Sequence, residues 1–184
     1  QIGYSHHPKT WQETRDAAQR GITGLFKNQI VPDSFSFRNL DNLEHTVWLQ
    51  TGFTVKNDVI NVGDFSMIKP AFMDIVATAD IFTPEARQHP FEYGNYENTD
   101  NYSTEIHISL PAGKQFDQVP GNASLQLGDM SYQLAFKKET GEKLVINRYF
   151  KTNCNKIVAP EQFKDLETFF TGIIKAEQKY VSFK

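Results

Sequence analysis

At 184 residues, with 39% hydrophobic, 22% charged, 15 Phe and 7 Tyr, the chain can bury about 70% of its unfolded surface and is too apolar to be disordered. Its net charge of −3 and 19 scattered basic residues provide no stripe able to neutralise successive phosphates, which excludes nucleic acid as an expected partner. No run approaches the roughly 20 apolar residues that cross a bilayer, so no membrane insertion is expected, and a lone cysteine, Cys154, excludes an internal disulfide framework and a multi-cysteine zinc site.

The sequence opens at Gln1 without a Met or a basic-then-apolar leader, as a processed product or an excised piece would. Over residues 9–20, Trp11, Ala18 and then Ile22 fit a helical stripe that Gly21 and Gly24 break, which predicts one short N-terminal helix. Residues 1–42 are read as a linker carrying that helix, and 43–184 as one module. From Thr46, alternating Val47, Leu49, Phe53 and Val55 predict a strand with one buried face, Trp48 pointing the other way. Residues 65–72 form a second β region, where Pro70 argues for an edge or bent strand.

Residues 83–102 carry two prolines, three asparagines and no periodicity, the pattern of a long surface connection. Beyond it Ile106, Ile108 and Leu110 alternate as a strand before Pro111 and Gly113 turn the chain. Gly128-Asp129 predicts a tight hairpin between Leu127 and the run of Tyr132, Leu134 and Phe136. Thr140-Gly141 leads into Leu144, Ile146 and Phe150, completing an antiparallel meander. A helix from Pro160 presents Phe163, Leu166, Phe170, Ile173 and Ile174 on one face. Gly172 weakens it by about 1 kcal/mol relative to Ala, so the face must be packed on the sheet. Alternation over residues 180–183 predicts a closing strand. The fold expected is mainly β: an antiparallel β-sandwich with a C-terminal helix packed on the sheet and a short N-terminal helix.

No catalytic constellation emerges. In papain-like and transglutaminase-like enzymes the His follows the Cys, whereas His6, His7, His45, His89 and His107 all precede Cys154, which reads as a structural or incidental thiol. His6-His7 could share a metal, but no spacing supplies further ligands. The carboxylate pairs Glu97/Asp100 and Glu139/Glu142 fall in turns without a calcium-loop pattern. No phosphate loop, nucleophile elbow or dinucleotide fingerprint occurs, and no cofactor is expected. Four aromatics, Phe91, Tyr93, Tyr96 and Tyr102, are the candidate ligand-binding residues, able to stack on a sugar or grip a peptide; packing beneath the connection is the competing role.

Arg87, the run Pro90-Phe91-Glu92-Tyr93-Gly94, residues 103–110 with Pro111-Ala112-Gly113, and Val119-Pro120 resemble the C-terminal domain of unknown function of exported transglutaminase-like proteins of Gram-negative bacteria. Phe163-Lys164-Asp165-Leu166 with Phe169-Phe170 and the last short strand are similar to that family's ending. The sequence departs at Glu97, where the family often has Pro, and at Lys114, where an aromatic is usual and here comes later as Phe116. The resemblance implies a non-catalytic structural or interaction module in the periplasm or at the cell surface, whose partner is a preceding transglutaminase-like domain of the same polypeptide. That domain, not this chain, would carry the Cys, His, Asp triad. A free-standing glycan- or peptide-binding module is the alternative.

Overall fold

The computed structural model describes residues 12–13, 16–17, 20–21, 30–39, 44–46, 48–70, 72, 76–78, 91–93, 100–152 and 156–184. The chain divides into two compact units, Gln1–Asp58 and Val59–Lys184. The fold is mainly β with antiparallel sheets and one C-terminal helix.

In the first unit, β1 (Ile30–Arg38) pairs antiparallel with β2 (Trp48–Val55), with a register shift between Pro32 and Ser34. The strand expected after Thr46 is β2, but Leu49, expected inside, is 43% exposed, beside Trp48 at 62%. β1 replaces what the sequence suggested was linker. Its bulge interrupts the period of two on which strand recognition rests. The short N-terminal helix is not seen as an element: helical backbone is described only at residues 12–13, 16–17 and 20–21.

The second unit is built on a four-stranded sheet of β6 (Asp100–Ser109), β7 (Ala123–Leu127), β8 (Met130–Lys138) and β9 (Lys143–Thr152), in the order β6-β9-β8-β7. β7, β8 and β9 form the expected meander. The two-residue loop Gly128-Asp129 closes the first hairpin with Leu127 opposite Met130, and Gly128 has the positive φ, 57°, that such a loop requires. β6 does not precede the meander in space. It pairs over ten residues with β9, from Asp100 opposite Thr152 to Ser109 opposite Lys143, so the first strand lies beside the last.

Alternation makes the sheet two-faced. Tyr132, Leu134, Leu144, Ile146 and Phe150 are buried on one side, and their neighbours at odd positions are mostly exposed. Across the buried face lies α1 (Phe163–Glu177), entered through a 3-10 turn at Pro160–Gln162. Its Leu166, Phe169, Phe170, Ile173 and Ala176 are buried in the same cluster. Asp165 in the first turn and Lys175 in the last suit the helix dipole. Gly172 is explained here: a Cβ would come within 3.0 Å of Leu125 Cδ1, so its absence lets the helix settle on β7.

A smaller sheet, β11-β4-β3, combines β3 (Ile60–Val62), β4 (Phe65–Ile68) and β11 (Val181–Phe183). The expectation of an edge strand from Pro70 fails, because β4 ends at Ile68 and is the central strand. The free side of β11 is closed by residues 115–118, whose backbone pairs with Ser182 and Lys184. This seats Phe116, 2% exposed, against the core with Val181 and Phe183. Finally β5 (Phe91–Tyr93) pairs with β10 (Lys156–Val158), placing a strand inside the expected long connection. A three-residue strand whose partner lies more than 60 residues away leaves no local periodicity to detect.

Candidate functional site

Four side chains meet between the sheet and the end of α1. Arg148 occupies the inward parity of β9, with Ile146 and Phe150 on either side, and its side chain is 0% exposed. Its Nη1 donates to Glu177 Oε1 at 3.1 Å and its Nη2 to Thr104 Oγ1 on β6 at 2.8 Å. Tyr132 on β8 donates its hydroxyl to the same Glu177 oxygen at 3.1 Å. The guanidinium carbon lies 4.9 Å from the centre of the Phe72 ring, a cation–π distance.

Glu177 ends α1, where a negative charge opposes the helix dipole, so Arg148 is what holds the carboxylate there. Burial pushes the Glu177 carboxyl above the ordinary range, while the hydrogen bond and charge of Arg148, the Tyr132 hydroxyl and Lys69 pull it partly back. Burial, then the Glu177 charge and hydrogen bond, push the Tyr132 hydroxyl far up, so it stays a donor. Chemically, two donors, Arg148 Nη1 and the Tyr132 hydroxyl, converge on one carboxylate inside the protein while Arg148 Nη2 reaches Thr104. It ties β6, β8 and β9 to the helix.

A native Glu177 value above the unfolded one means that the folded state holds the proton more tightly. The stability this contributes is complete below the ordinary glutamate range and is lost as pH rises through the native value. In urea unfolding at a series of pH values, wild type should therefore lose stability relative to Glu177→Gln as pH rises through that window. The opposite slope would show that the Arg148 charge outweighs burial.

Of the candidate residues singled out in the sequence, none that is described is among the four side chains of this cluster. Tyr102 is half-buried and stacks on Phe150, ring centroids 6.0 Å apart at 20°, so it packs on the core side of the sheet. Phe91 and Tyr93 contribute their backbone to β5. Tyr96, Glu97, His6, His7, His89 and Cys154 lie outside the described residues. Glu139 and Glu142 are exposed in the β8–β9 turn, where the Glu142 amide donates to Thr140 Oγ1 at 3.2 Å. His107 meets the exposed Glu105 at 2.6 Å on the open face of β6. Among the described residues no group of three or more His, Cys, Asp or Glu could hold a metal ion, and no helix is long and apolar enough to cross a membrane.

Residues 64–183 match the family model of DUF3858, a domain of unknown function. The chain belongs to the DUF3858 family. The DUF3858 region begins at β4 and runs through β11, so it takes in the four-stranded sheet, α1 and the whole Arg148 cluster. The chain matches no curated protein and no solved structure.

Sequence reasoning passed over Arg148 and Glu177, although both leave a signal. Arg148 stands at the parity of Leu144, Ile146 and Phe150, where a charge needs a buried partner, and Glu177 stands at the wrong end of its helix for its charge.

Proposed function

We propose that the chain is a non-catalytic structural or interaction module at the C-terminal end of an exported transglutaminase-like protein, with the preceding catalytic-type domain as its partner. The four-stranded sheet, the β11-β4-β3 sheet and α1 are read as a β-sandwich with a helix on one layer. The observation that carries the reading is the arrangement of Arg148, Glu177, Tyr132 and Thr104: Arg148 Nη1 and the Tyr132 hydroxyl donate to one internal carboxylate, and Arg148 Nη2 donates to the Thr104 hydroxyl, so these bonds are all spent inside the fold. A reaction centre would hold such groups toward a cleft, with a nucleophile or base left to meet substrate. The order of Cys154 after every histidine supports the same conclusion.

The test is an assay of the purified chain on amide, peptide and acyl-transfer substrates, beside Cys154→Ser. No turnover above background is expected, with Cys154 alkylating at the rate of an ordinary thiol. Turnover that Cys154→Ser abolishes would replace the accessory reading with an enzymatic one.

A further inference from the structure

On the side of the four-stranded sheet turned away from α1, Val145 is buried, while the stretch around Tyr149 and Lys151 is largely exposed and arranged in register. One row across it runs Asn101, Lys151, Ser131, and the next runs Ser103, Tyr149, Gln133. Tyr149 lies in the middle, 39% exposed, its hydroxyl donating to Asn101 Oδ1 at 2.9 Å. With strands about 4.8 Å apart and alternate residues about 6.8 Å apart along each, the two rows span about 10 by 7 Å, enough to underlie a disaccharide.

Five of these six side chains are neutral groups that donate and accept hydrogen bonds, as sugar hydroxyls do. The sixth, Lys151, forms no ion pair among the described residues. Neither row contains a carboxylate, and Glu105, the nearest acid on the face of β6, is engaged by His107. This uncompensated cation, in a chain of net charge −3, is complementary to an anionic ligand. An extended peptide would need a free strand edge or an apolar pocket. Here Tyr149 and Lys151 stand on β9, which is paired on both sides, while the free edges of the sheet are at β6 and β7, and the cross-strand neighbours of Tyr149, Ser103 and Gln133, are polar and form no apolar pocket.

We propose that this face binds a carboxylated glycan, with a sugar ring stacked on Tyr149 and the carboxylate paired to Lys151. The inference goes beyond the accessory reading and does not depend on the identity of any preceding domain.

The test is calorimetric titration of the purified chain, with amide NMR, using a galacturonate tetramer, a hyaluronan tetrasaccharide and the N-acetylglucosaminyl-N-acetylmuramic acid disaccharide. At least one should bind, with shifts centred on β8 and β9. Tyr149→Ala and Lys151→Ala should each weaken it about tenfold, as should methyl esterification of the ligand carboxylates, whereas Tyr149→Phe keeps most of the affinity. Lys151→Ala, on an exposed side chain, should unfold as wild type does, Tyr149→Ala is scored at a temperature where its amide spectrum shows it folded, and the esterified ligand tests the charge without any substitution. Absence of binding to all three glycans would overturn the proposal, as would affinity unchanged in both variants. Equal binding of tetraglutamate would assign the face to acidic peptides instead.

Discussion

Glu177→Ala is expected to destabilise the protein by about 3–5 kcal/mol, the range found when one partner of a buried ion pair is removed. Arg148 is the reason the loss is large. Its side chain is fully buried and its guanidinium cannot shed its proton, so deleting the carboxylate leaves a charge inside the core without its anionic partner, and neither the Thr104 hydroxyl nor the Phe72 ring supplies a negative charge in its place. Tyr132 loses its acceptor in the same step. Denaturant unfolding followed by circular dichroism reads the change as a lower midpoint with an unchanged slope. A loss below about 1 kcal/mol would place Arg148 in contact with water.

Phe170→Ala should cost about 3–5 kcal/mol by the same measurement, here through lost apolar contact and the cavity left behind. Phe170 is 1% exposed, with Phe169 at 5.3 Å and Phe150 at 6.2 Å, both edge-to-face. It joins α1 to Phe150 near the C-terminal end of β9. Lys164→Ala is the control on the outer side of the helix. That side chain is 79% exposed and, among the described residues, paired with Glu167 three residues on, so its removal should change stability by no more than about 0.5 kcal/mol. An unchanged midpoint for Phe170→Ala would mean that α1 is not held on the sheet through this ring.

Much of the second unit was legible because its signals are local. Gly128-Asp129 lies directly between Leu127 and Met130, and the alternation of Leu144, Ile146 and Phe150 continues in β9 without interruption. Pro160 and the stripe from Leu166 to Ile173 likewise fix α1 within a few residues. What escaped depends on distant partners or broken periods. β1 is bulged between Pro32 and Ser34, β5 needs β10, and the place of β6 beside β9 is a matter of sheet order, which no spacing along one strand records. The aromatic cluster chosen as a candidate site came from composition, and composition does not show direction: Tyr102 turns to the core, while Tyr149, unremarked among the residues of β9, turns outward. Arg148 and Glu177 were readable from the two ends of one mismatch, a cation at a core parity and an anion at a helix C-terminus.

The structural role of the charged cluster is tested most directly by a double-mutant cycle in urea unfolding, with Arg148→Met, Glu177→Leu and the two together. Each single change should cost several kcal/mol, and the double variant should recover to within about 1 kcal/mol of wild type, since apolar groups of similar size then replace a pair whose burial is itself costly. Losses that simply add in the double variant would show that Arg148 and Glu177 act independently and that the cluster does not tie the helix to the sheet.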